Sequence, residues 1–98
     1  MLSKLTGTFV QEVDTLHKKS AFPFKVALFT VQPFSESRLD CHKVLEVWLI
    51  AQGKGIVEYQ GEEFSISAGD VLHFHSFETH KVINTGKEDI KLFSIWWE

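Results

Sequence analysis

From residue 24 onward this chain consists of short apolar or alternating runs, each cut off by turn-forming residues before a helical period can develop. The runs cover residues 24–31, 45–52, 56–60, 63–66, 71–75, 80–84 and 90–97. Between them stand Gln32-Pro33-Phe34-Ser35, Gly53-Lys54-Gly55, Gln60-Gly61-Glu62, Ser67-Ala68-Gly69-Asp70 and Asn84-Thr85-Gly86-Lys87. Each connection carries the Gly, Pro, Asn or Asp that a tight turn requires. Connections this short imply antiparallel neighbours, because a parallel crossover needs a dozen or more residues. Seven or eight short strands at this spacing predict an all-β sandwich or barrel. Helical periodicity is nearly absent; residues 10–20 alone suit a short turn of helix, and their β-branched members weaken even that.

A chain of 98 residues fits one domain spanning 1–98, and no repeat or low-complexity tract divides it. A domain this small buries only about two-thirds of the surface its unfolded chain exposes, so a second copy would help stabilise it. The net charge of −3, with Lys and Arg scattered, provides no basic face, which argues against nucleic acid as a partner. No stretch approaches the roughly 20 apolar residues of a membrane helix, and the first eight residues lack the apolar core of a signal peptide. With Cys41 the only cysteine, an internal disulfide is excluded, and the expected address is the cytoplasm.

Two segments concentrate chemistry. The first is Asp40-Cys41-His42-Lys43-Val44-Leu45-Glu46, followed after six residues by Gly53. The second runs from Gly69-Asp70 through His73, His75 and Phe77 to His80, and closes at Asn84. Together they resemble the paired signature of the cupin superfamily: His-x-His, three or four residues, Glu, six residues, Gly; then Gly, five residues, Pro-x-Gly, two residues, His, three residues, Asn. Motif 1 falls at about 40–55 and motif 2 at about 69–84. The chain departs from the pattern in three places. Asp40 stands where the first histidine is usual, His75 replaces the proline, and Phe77 replaces the glycine.

The resemblance implies a double-stranded β-helix (jelly-roll) barrel with little or no helix. It also implies a divalent metal (iron, zinc, manganese or nickel) held at the barrel mouth by His42, Glu46 and His80, with Asp40 as a further oxygen donor. Two imidazoles and a carboxylate suit a site with open coordination positions. A straight strand would put Glu46 roughly 13 Å from His42, so the chain must bend around Lys43-Val44-Leu45 for both to reach one ion. Members of the resembled family include dioxygenases, isomerases, lyases and decarboxylases, as well as small-molecule-sensing modules; a metal-free structural dimer, its histidines remnants, is a third option for this chain. A small-molecule ligand is expected, and the sequence does not choose between turnover and binding.

Each candidate has a plainer reading. His42 and His80 are either ligands or histidines satisfied by backbone hydrogen bonds. Glu46 interrupts an apolar strand: facing inward it needs a metal, a cation or a proton, and facing outward it is a surface glutamate. Asp40 is a ligand, an acceptor for an imidazole N–H, or a loop residue. His73 and His75 share one face of a strand; inward they are catalytic acid–base candidates, outward they are surface residues. Cys41 alternates with His42 and is expected to be buried and inert. Trp48 shares the parity of Glu46, while Gly53, Gly69, Asp70 and Asn84 are turn residues. The last strand, Leu92-Phe93-Ser94-Ile95-Trp96-Trp97, is apolar on both faces, as expected of a strand pressed against a second chain in a homodimer.

Overall fold

The computed structural model describes residues 2–5, 7–13, 23–37, 39 and 43–98, with the backbone alone for the first four. Among the described residues the secondary structure is all β: β1 (Leu2–Leu5), β2 (Thr8–Val13), β3 (Lys25–Val31), β4 (Leu45–Gln52), β5 (Lys54–Tyr59), β6 (Glu62–Ser67), β7 (Val71–Phe74), β8 (His80–Ile83) and β9 (Ile90–Trp97). The seven runs read from the sequence are β3 to β9, displaced by at most two residues at an end. The β1–β2 hairpin was not anticipated, and Val10 to Val13, assigned to a short helical turn, are strand. Residues 14–20 of that stretch lie outside the described residues.

The strands form a six-stranded sheet in the order β1-β2-β3-β9-β4-β7 and a three-stranded sheet in the order β6-β5-β8. Every pairing is antiparallel. The expectation that short linkers join neighbours needs correction, because β4 and β5 are separated by a single residue yet belong to different sheets. Gly53 is the reason. Its φ of 85° lies in the left-handed region, and a Cβ there would stand 2.5 Å from the Asp89 carbonyl oxygen. Only glycine turns this corner without displacing backbone. The register of β4 on β9 also shifts between Ile50 and Gln52, a bulge that bends the strand at the same place. The chain thus crosses between sheets at a point that reads, in sequence, like a hairpin.

Alternation along each strand sends one set of side chains between the sheets. Val31, Trp48, Ile50, Val57, Ile66, Phe74, Val82, Ile90 and Leu92 form the core, with Phe29, Tyr59 and Leu72 packed against it. Burying each large side chain contributes about 1.5–3 kcal/mol. Asn84 latches the end of β8. Its amide donates to the carbonyls of Val31 (2.9 Å) and Glu88 (2.7 Å), and its Oδ1 accepts from the Gly86 N–H at 2.9 Å. This is the turn role expected of it. Asp70 does likewise before β7, accepting the Ser67 N–H at 2.8 Å.

Candidate functional site

Glu46 is the second residue of β4 and has the parity of Trp48 and Ile50, which places it on the inner face. The chain bends at Lys43 and Val44 immediately before it, where the metal geometry had required a bend. Across the sheet Glu46 faces Trp96 on β9 and Phe74 on β7. His80 opens β8, opposite Tyr59, in the other sheet. The two residues therefore meet across the interior, one from each sheet, and expose only 6% and 2% of their surface.

Their contact has a definite direction. Oε2 of Glu46 accepts from the indole N–H of Trp48 at 2.7 Å and from the Ser94 hydroxyl. These donors occupy one carboxylate oxygen and turn the other, Oε1, toward His80 Nε2 at 3.0 Å. That approach is at ion-pair distance but off the angle of a well-formed hydrogen bond. On the far side of the ring, Nδ1 lies 3.0 Å from the carbonyl oxygen of Glu78. A carbonyl accepts and never donates, so Nδ1 carries a proton and Nε2 is the nitrogen with a lone pair to offer when the ring is neutral.

Aromatic rings hold the imidazole in place. Phe74 stacks on it at 4.1 Å with planes 7° apart, and Trp48 meets it edge-on at 5.3 Å. Burial pushes the Glu46 carboxyl up. The close approach of His80, the bonds from Ser94 and Trp48, and the charge of His80 together outweigh burial and hold it below the usual carboxylate range.

The other candidates part company. His73 faces Val47 on the outer side of the six-stranded sheet, and His75 follows the strand; both are exposed, with ring centroids 5.6 Å apart. Neither joins Glu46 and His80, so the structure takes the outward alternative for this pair. His42, Asp40 and Cys41 lie outside the described residues. Among the described residues no group of three or more His, Cys, Asp or Glu side chains gathers as a ligand set. Sequence reasoning missed Ser94 and Glu78. Ser94 had a signal, being the polar residue of inward parity in an otherwise apolar strand. Glu78 had none.

A cupin domain family model matches residues 27–96. The chain belongs to the cupin family. It is 32% identical over 90 residues to an oxalate-binding protein of Thermotoga maritima, covering 86% of this chain and 74% of that one. A predicted oxalate decarboxylase of the same organism superposes with a TM-score of 0.80 at 26% identity, covering 98% of this cupin and 90% of that chain. A cupin 2 conserved barrel domain protein from Salinispora arenicola gives 0.85 at 23% identity over 100% and 82%, a likeness of fold. The barrel implied by the sequence resemblance is thus the one observed. The position that carries a glycine in the resembled signature is here Phe77, with a left-handed φ of 63° and 64% exposed.

Proposed function

We propose that this cupin binds a divalent metal through Glu46 and His80, completed by His42, and uses it to hold a small carboxylate of the oxalate class. The observation that carries the reading is the pairing of Oε1 and Nε2 in the interior, each turned toward the other by partners on its far side. Two donor atoms about 2.1 Å from one ion and at right angles to it stand about 3.0 Å apart, which is the separation of this pair. An imidazole whose other nitrogen donates to a backbone carbonyl is the usual form of a metal-bound histidine. A bound divalent cation would supply Lewis acidity and open positions for a chelating oxygen ligand. The name of the Thermotoga maritima relative supports oxalate as the first probe. His73 and His75 receive no role in this site.

The test is elemental analysis of untagged protein together with oxalate titration of metal-loaded and metal-free forms. Stoichiometric metal, its loss in Glu46→Ala and His80→Ala, and oxalate binding that needs the metal are expected. Metal-free protein from metal-replete cells would sink the metal; metal without oxalate binding would sink the ligand class. Release of carbon dioxide from oxalate would replace binding with turnover.

We also propose that the chain is a homodimer joined through the outer face of the six-stranded sheet. Leu28, Val47, Leu49, Phe93 and Ile95 lie side by side there, by the registers Leu28↔Phe93, Leu49↔Phe93 and Val47↔Ile95. A sheet face this apolar opposite the core calls for a cover, and a second copy brings an identical apolar face. Sedimentation at micromolar concentration is expected to give a dimer that Ile95→Glu converts to a folded monomer. A wild-type monomer would overturn the assignment.

A further inference from the structure

The loop between β7 and β8, residues 75–79, is tied down more heavily than a connection of that length needs. The Glu78 N–H donates to the His75 carbonyl at 3.2 Å, and the Glu78 carboxylate accepts the His75 N–H at 2.8 Å, closing the turn from both sides. Tyr59, at the end of β5, stands beside the same carboxylate, and each shifts the other, the phenol up and the carboxyl down. One residue further along each strand, Gln60 and Thr79 are joined three times. Gln60 Oε1 accepts from the Thr79 N–H at 2.8 Å and from its hydroxyl at 3.1 Å, and the Gln60 N–H donates to the Thr79 carbonyl at 3.0 Å. Inside this bracing Phe77 is kept in a left-handed conformation that a β-carbon disfavours. Strain of that kind persists only where the surroundings over-determine the backbone.

What the bracing fixes is the carbonyl of Glu78, the acceptor for Nδ1 of His80. We propose that Glu78 is a positioning residue. Its side chain, gripped by the His75 N–H, holds its own carbonyl where Nδ1 must keep a proton, so that Nε2 is the nitrogen left to face Glu46. Nδ1 keeps its proton in this arrangement because the carbonyl it meets can only accept. The step from there to metal binding rests on the reading of His80 as a ligand; the fixing of Nδ1 does not.

Two readouts on the 98-residue chain test it: the Nδ1–H resonance of His80 in metal-free protein, followed for exchange with water, and the affinity for Zn²⁺ alone. Wild type is expected to show an Nδ1–H protected from exchange. Glu78→Ala should lose that protection and bind Zn²⁺ about 10–100-fold more weakly, the usual scale for removing support behind a ligand. Glu78→Gln keeps an oxygen for the His75 N–H and should restore both. Asp70→Ala is the control. It removes a carboxylate that braces the neighbouring turn in the same manner, and should leave both readouts unchanged. Full protection and wild-type affinity in Glu78→Ala would overturn the proposal, and so would equal losses in Asp70→Ala. If Glu78→Ala does not fold, Glu78→Asp, which shortens the reach of the carboxylate to the His75 N–H, takes its place, and unchanged readouts there overturn it equally. A wild-type chain with a protected Nδ1–H and no Zn²⁺ binding would sink the metal reading and leave the role of Glu78 intact.

Discussion

Two pairs of titratable side chains lie close together in this barrel and meet opposite fates. Glu46 and His80 point between the sheets and are almost wholly buried, whereas His73 and His75 point away from them into solvent. Glu46 and His73 sit on neighbouring strands one register step apart, since Glu46 faces Phe74 and Val47 faces His73. A single position along a strand therefore separates an interior group from an exterior one. Residue type gives no hint of the difference; strand parity decides it.

The contrast predicts a large difference in stability. Removing one partner of a buried ion pair leaves the other without its counterpart, which costs about 3–5 kcal/mol. Glu46→Ala and His80→Ala should each lose stability on that scale in urea unfolding of metal-free protein. A loss under about 1 kcal/mol in both would mean that water reaches the pair, and the interior–exterior contrast would break.

The donors behind Glu46 should come next. Ser94→Ala and Trp48→Phe each delete a hydrogen bond to a charged oxygen, worth about 1.5–3 kcal/mol. In wild type His80 first, and then these two bonds, set the sign of a pH effect. The folded Glu46 carboxyl lies below its ordinary value of 4.5, so the unfolded chain binds more protons than the native one in that range. Its contribution is complete above the unfolded value and fades as pH falls through the folded one. Acid titration of metal-free stability should show this slope in wild type and lose it in Glu46→Gln.

How much of this was legible beforehand follows from what each residue reveals locally. Strands β3 to β9 could be read because turn residues punctuate them and alternation shows on their faces. β2 was missed because Thr-Phe-Val-Gln-Glu-Val fits a strand or a frayed helix equally well until β3 pairs with it. Glu46 announced itself as a carboxylate inside an apolar run, and its pairing with His80 matched the family spacing. The side taken by His73 could not be read, because Val71-Leu72-His73-Phe74 is apolar at both parities until the core selects Leu72 and Phe74. Glu78 acts through its backbone carbonyl, and no side-chain pattern records a carbonyl. Asp40 and His42 lie outside the described residues, and of the two only His42 enters the proposed ligand set.

Phe77 offers a gain rather than a loss. A β-carbon in the left-handed region costs about 1–2 kcal/mol relative to glycine, partly offset by the greater freedom glycine has when unfolded. Phe77→Gly should therefore stabilise by up to about 1 kcal/mol, raising Tm by roughly 4–8 °C per kcal/mol in a domain this size. An unchanged or lower Tm would show that contacts of the Phe77 ring repay the strain.

The smallest effect sharpens the comparison most. His73→Ala and His75→Ala remove exposed rings whose partners are chiefly each other, so each should alter stability by no more than about 0.5 kcal/mol. Metal content should be unchanged in both, since neither ring reaches the interior. The double variant is the stricter form: if the pair acted as the acid–base group of the site, losing both would abolish any activity on oxalate while leaving the metal in place. If the two rings are surface residues, the double variant should match wild type in metal content, oxalate affinity and stability. His73 also borders the apolar face assigned to the dimer, so a shift in the sedimentation of His73→Ala, with the other three properties unchanged, would place it at that rim.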